Sequence, residues 1–116
     1  MTANGADTTA LASATCLFRS LGDPSRLAIL THLMVGEHRV VDLTEHLGLA
    51  QSTVSAHLRC LLDCGLVQVR AQGRASMYSL TASEHTRDLL RATEALLAAT
   101  GDAVALCPVY GIETVR

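Results

Sequence analysis

Two cysteines stand four residues apart in "SAHLRCLLDCGLV", at Cys60 and Cys64. On a helix that spacing is just over one turn, so the two sulfurs lie side by side on one face. Such a pair either grips something soft or fills space twice with a small apolar side chain. A disulfide within a single helical turn is geometrically poor, which leaves thiols. Cys107, beside Pro108 near the end of the chain, has little core to fill and can supply a third thiolate. Three thiolates without a matching histidine or carboxylate make a soft anionic site, which favours thiophilic ions over Mg²⁺, Ca²⁺ or Mn²⁺. Cys16 falls at Leu-like spacing in an earlier helical segment and reads as a core or interface thiol.

The elements that must position these residues are short helices. A helix is expected over about Thr8–Ser20, with Leu11, Thr15 and Phe18 at helical spacing. In "LGDPSRLAILTHLMVGE", Asp23 caps, Pro24 takes the first helical position, Leu27, Leu30 and Leu33 form an apolar stripe, and Gly36 ends it. "RVVDLTEHLGLAQSTVSAHLRCLLDCGLV" reads as two helices around a tight turn at Gly48, the helix-turn-helix pattern. "LVQVRAQGRASMYSL" alternates apolar and polar residues about Gln72–Gly73–Arg74, a hairpin that makes a wing. Thr81 and Glu84 have capping-box spacing before a last helix that runs to about Thr100. The expected organisation is a frayed segment over 1–7, a winged helix-turn-helix domain over 8–100 and a tail over 101–116.

At about 100° per residue, the second helix of the pair has three faces. Val54, Leu58, Leu61 and Leu62 make the core face. Ser52, Ser55, Ala56 and Arg59 point away from it, and small hydroxyls with an arginine suit a helix laid in the major groove. Cys60 and Cys64 share a third face with Thr53 and His57, on neither the core nor the supposed DNA side.

Composition sets the outer limits. The 116 residues make one domain, 49% hydrophobic against 17% charged, which excludes disorder for most of the chain. No apolar run approaches the roughly 20 residues that cross a bilayer, so a cytoplasmic location without a membrane partner is expected, where thiols stay reduced. The net charge is −2, yet between Ala50 and Thr81 the fixed charges are Arg59, Arg70 and Arg74 against Asp63 alone. That basic bias is local to the helix and wing that would meet DNA.

"LGDPSRLAIL", "DLTEHLGLAQSTVSAHLRCL", "GLV" and the "GRASMYSL" wing together resemble the ArsR/SmtB family of bacterial metal-sensing repressors, over roughly Phe18 to Leu97. The resemblance implies a mainly α fold with a small β-hairpin: a winged helix-turn-helix homodimer joined through its first and last helices. It implies a repressor that holds double-stranded operator DNA when metal-free and lets go when metal binds. Gln51, Ser52, Thr53, Ser55 and His57 would lie at the DNA, with Arg74 on the wing, beside the Arg59 of the outward face. Arg39 and Val41 stand where one branch carries a Cys-x-Cys pair, so that site is absent. The last helix offers His85, Asp88 and Glu94 with a single histidine, an incomplete version of another branch's site. Cys60, Cys64 and Cys107 match the cadmium- and lead-sensing branch, in which the tail cysteine comes from the other protomer. Cd(II) or Pb(II) would then be the inducer, with Zn(II) or As(III) as substitutes.

Other readings stay open. Trivalent arsenic also takes three thiolates, so an arsenite or antimonite sensor fits the same residues. A thiol redox repressor would oxidise Cys60 or Cys64 and pair it with Cys107. An enzyme is not expected, since the chain has no Gly-rich phosphate loop and no paired carboxylates in an apolar setting. A plain dimerisation module would not need the Ser52, Ser55 and Arg59 face. His57 could serve as a peripheral ligand, while His32, His38 and His46 show no ligand spacing along the sequence.

Overall fold

The computed structural model describes residues 4–106, with side chains from residue 8 onward. Cys107 therefore lies outside the described residues. The elements run α1 (Asn4–Leu21), α2 (Pro24–Leu33), α3 (Val40–Leu47), α4 (Gln51–Asp63), β1 (Val67–Gln72), β2 (Ala75–Leu80) and α5 (Ser83–Ala99). Helix α1 begins inside the stretch expected to fray. The rest follows the order expected of a winged helix-turn-helix.

Local chemistry explains most boundaries. The Asp23 carboxylate accepts from the Arg26 amide at 3.0 Å, and Pro24 follows as first helical residue. Gly48 ends α3 in the left-handed conformation at φ 68°, a region that favours glycine, and so sets the tight turn into α4. The strands pair antiparallel from Val67 opposite Leu80 to Gln72 opposite Ala75, and Gly73, at φ 63°, makes the two-residue tip with Arg74. The expected capping box at Thr81 and Glu84 is not formed: the cap position of α5 is Ala82, without a side-chain bond. The amide of Thr81 instead donates to the Leu66 carbonyl at 3.1 Å, joining the end of the hairpin to its start.

The core gathers Ile29, Leu30, Leu33 and Met34 from α2, Leu43 from α3, Val54, Leu58 and Leu61 from α4, Val67 and Leu80 from the wing, and Leu90 from α5. Leu62, assigned to the same face of α4, is only partly buried and packs at its margin. The wing is fastened at its base, where the His38 amide donates to the Tyr78 carbonyl at 3.0 Å and the Tyr78 amide donates back at 2.8 Å. Farther out, Arg70 forks onto Glu37 at 2.7 and 2.8 Å.

Two outcomes are expected. Leu58 is 1% exposed, so Leu58→Ala should cost about 2–5 kcal/mol of unfolding free energy, measured by urea denaturation. The carboxyls of Asp23 and Glu37 titrate below their ordinary values of 3.8 and 4.5, held down chiefly by the Arg26 amide and the Arg70 side chain respectively. Groups lowered by folding stabilise fully above their unfolded values and lose that contribution as pH falls through the folded ones. The urea midpoint should therefore stay level from neutral pH down to about 5 and fall below it, and Glu37→Gln should flatten that fall.

Candidate thiol centre and nucleic-acid interface

The cysteine end of the third face of α4 meets the C-terminal half of α1. Cys16 of α1 and Cys64 at the end of α4 are joined by a disulfide, with Cα atoms 6.1 Å apart and 48 residues between them in sequence. The expectation that all four cysteines are thiols is thus corrected at Cys16 and Cys64. Cys60 is a free, half-buried thiol one turn earlier. Ser20, 1% exposed, joins the two sulfurs on α4: its hydroxyl donates to Cys64 Sγ at 3.0 Å and lies 3.5 Å from Cys60 Sγ. Two cysteine sulfurs, one of them bridged to Cys16, thus flank one buried hydroxyl at the joint between α1 and α4.

Arginine 26 sets this joint. Its Nε donates to the Ser20 carbonyl at 2.7 Å, and its Nη2 donates to the Arg19 carbonyl at 3.1 Å, which also accepts the Gly22 amide at 3.2 Å. Its Nη1 lies 3.3 Å from His57 Nδ1. Guanidinium has no acceptor, so the imidazole accepts there and carries its proton on Nε2, which faces Asp23 at 3.8 Å. His57 is therefore turned toward α2 and half-buried, away from the side expected to meet DNA. Sequence reasoning missed Ser20 and Arg26; the available signal was the "SLGDPSR" run itself, which packs a cap, a helix start and a basic residue into one corner.

The outward side of α4 is open. Gln51, Ser52, Thr53, Ser55 and Arg59 are exposed, as is Arg74 at the wing tip. Ser52, Ser55, Ala56, Arg59, Leu62 and Tyr78 line a concave recess of about 490 Å³ between α4 and the wing. Its charge differs from the sequence count. Arg70 is held by Glu37, and Arg59 lies 3.9 Å from Asp63 with both exposed, a weak pair. Arg74 has no ion pair among the described residues.

Two further positions can be placed. Glu94 of α5 is 8% exposed and accepts the Leu106 amide, so it anchors the start of the tail. His85 and Asp88, by contrast, are exposed on α5. Among the described residues, no three His, Cys, Asp or Glu side chains are set as they stand to hold an ion. The donors at the joint nonetheless suit a soft ion once the disulfide is reduced, since Cys60 and Cys64 present sulfur beside a hydroxyl in a half-buried setting.

The chain is similar in sequence and fold to known proteins. The family model described as bacterial regulatory protein, arsR family, matches residues 23–69. A probable mercury resistance operon repressor of Streptomyces lividans is 38% identical over 90 residues, covering 78% of this chain and 71% of that protein. The solved structure of the cadmium metal-sensor CmtR from Mycobacterium tuberculosis is 44% identical, with a TM-score of 0.57 over 65% of this chain and 78% of that one. A homodimeric winged helix-turn-helix DNA-binding domain from Mycobacterium bovis superposes with a TM-score of 0.67 at 27% identity, covering 82% of this chain and 83% of that one.

Because Cys64 cannot be a disulfide half and a thiolate ligand together, the redox state should gate soft-metal binding. Cd²⁺ added to oxidised protein should give little sulfur-to-metal ultraviolet absorption, and pre-reduction should raise it severalfold. Cys16→Ser should bind without pre-reduction. Equal absorption from oxidised and reduced wild type would remove Cys64 from the ligand set.

Proposed function

The chain belongs to the arsR family of bacterial regulatory proteins, and from that premise we propose that it is a homodimeric repressor which leaves its operator when a thiophilic ion binds at the α1–α4 joint. As a family member it is a DNA-binding transcriptional regulator and not an enzyme. The observation that carries the proposal is that one helix, α4, bears both surfaces: Ser52, Ser55 and Arg59 outward, and Cys60 with Cys64 against α1.

The residues divide the work. Gln51, Ser52, Thr53 and Ser55 supply short donors at the start of α4 for phosphates and base edges, and Arg59 with Arg74 supplies charge. His57 positions α4 through Arg26 instead of touching DNA. Leu11 and Phe18 of α1 and Leu96 of α5 are 65%, 62% and 65% exposed, and a second copy packed there would cover them. Helix α1 then belongs to the dimer interface as well as to the thiol joint. Cys60, Cys64 and Cys107, the last carried by the tail, would hold Cd(II) or Pb(II) as thiolates, with deprotonation making affinity rise with pH. A ligand that draws α4, α1 and the tail together changes the angle at which two α4 helices meet successive major grooves. To release DNA it need favour the unbound form by only about 1–3 kcal/mol.

The Cys16–Cys64 bond supports a second reading, a thiol redox repressor whose partner for Cys64 is Cys16 instead of Cys107. A hydroperoxide would oxidise one thiol to a sulfenic acid, releasing an alcohol or water. The other thiol would then displace water from that sulfur to form the disulfide.

Both readings are checked by anisotropy of a fluorescent duplex from the chain's own upstream region, bound by reduced protein without oxygen. Cadmium or lead should release it at low concentration, zinc weakly, and Cys60→Ser or Cys107→Ser should abolish release. Release by arsenite alone keeps the thiolate centre and changes the inducer. Release by peroxide alone, abolished in Cys16→Ser, selects the redox reading. Arg74→Ala should weaken binding to all duplexes alike and lower the salt dependence by about one unit of slope, while leaving the dimer intact in sedimentation.

A further inference from the structure

Three of the five histidines meet on one surface although they belong to different elements. His32 is on α2, His38 in the α2–α3 connection and His46 on α3. Their ring centroids are 5.1 Å apart for His32–His46, 5.6 Å for His38–His46 and 6.3 Å for His32–His38. In a tetrahedral site with metal–nitrogen bonds of about 2.0–2.1 Å, three imidazole centroids sit about 5 Å from one another. The observed triangle is within about 1 Å of that.

The tautomers point the same way. His32 Nδ1 lies 2.9 Å from the Ala28 carbonyl, and His38 Nδ1 lies 2.8 Å from the Gly36 carbonyl. A carbonyl only accepts, so both Nδ1 atoms carry the proton and both Nε2 atoms keep a lone pair. A backbone carbonyl behind one ring nitrogen is the usual support of a metal-bound histidine. Arg39, which follows His38 in the chain, is paired with Asp42 at 3.0 Å and so repels an incoming ion less.

We infer that His32, His38 and His46 form a second metal site, separate from the cysteines, for a borderline divalent cation of the zinc, nickel and copper class. Neutral imidazoles prefer such ions, whereas thiolates prefer softer ones. As they stand the rings do not converge, since His32 and His46 stack at 30° between planes. The three side chains are not set to hold an ion as they stand, so the site forms on rearrangement, for which His46 is exposed. Through the reciprocal backbone pairing of His38 with Tyr78, an ion held there ties α2 and α3 to the base of the wing.

The test uses Zn²⁺ with the full chain carrying Cys60→Ser, Cys64→Ser and Cys107→Ser, in competition with a chromogenic chelator. One Zn²⁺ per chain is expected. Adding His46→Asn should weaken binding at least tenfold, and adding His85→Asn, on α5, should change nothing. Absence of stoichiometric binding, or an equal loss from His85→Asn, overturns the inference. Should the serine variant not fold, long-range ¹H–¹⁵N spectra of reduced wild-type protein decide. Zn²⁺ should shift the Nε2 signals of His32 and His38, leave their Nδ1 signals in place, and shift one ring nitrogen of His46. Shifts confined to His57 or His85 would refute the site. Neither readout involves DNA or thiol release, so this inference and the repressor proposal fail independently.

Discussion

The guanidinium of Arg26 holds the corner on which everything downstream depends. It satisfies two carbonyls at the end of α1 while its own backbone amide is fixed by the cap of α2, so two helices are joined at a set angle by one residue. Its third contact, to His57, extends the corner to α4. A charged donor that serves three helices is hard to replace, because without it the part-buried Ser20 carbonyl would lose its donor at the joint. The placement of Cys16 and Ser20 against Cys60 and Cys64 follows from that angle. A thiol centre built from α1 and α4 exists only because the corner brings the two helices together there.

The centre lies where a small change has a large lever arm. Helix α4 is rigid and 13 residues long, so it spans about 20 Å from its first turn to the cysteines. Whatever pulls on Cys60 and Cys64 moves the end of the same rod whose other end carries Gln51, Ser52 and Thr53. The wing, by contrast, is braced independently by Glu37–Arg70 and by the His38–Tyr78 pairing. Motion at the thiols would therefore appear as a change between α4 and the wing, across the recess lined by Ser55, Arg59 and Tyr78, and not as movement of the whole domain.

Periodicity made the helices and the wing legible, since the three faces of α4 are a matter of 100° steps and Val54, Leu58 and Leu61 are buried as that spacing requires. It could show that Cys60 and Cys64 avoid the core face, but not which element covers them. Cys16 is 48 residues away, and a contact at that distance is decided by the α1–α2 angle, which no local pattern encodes. The same blindness hid the histidine triangle, whose members share no helix face. It also overstated the free charge near the DNA surface, because Glu37, the partner of Arg70, precedes the counted segment. Thr81 and Glu84 failed as a cap for a different reason: closing the hairpin took the Thr81 amide to Leu66, and α5 started one residue later.

Glu94 shows how a residue type can mislead about chemistry and still matter for it. An acid on the last helix resembles a metal ligand in sequence, yet burial and the Leu106 amide make it an anchor for the tail. A buried carboxylate needs such donors, because desolvation without them costs several kcal/mol. Leu106 in turn packs toward the core, in a groove it shares with Phe18 and Leu21 of α1 and Leu89 of α5. Cys107 is the next residue, within one 3.8 Å Cα step of this anchored point. A thiolate there would act from a fixed base against α1 and α5, the helices that a second copy would cover in the proposed dimer. Were it drawn toward a metal as proposed, it would load the Glu94 contact and, through Leu106, both α1 and α5, and so would tie ligand binding at the thiols to the geometry of the pair.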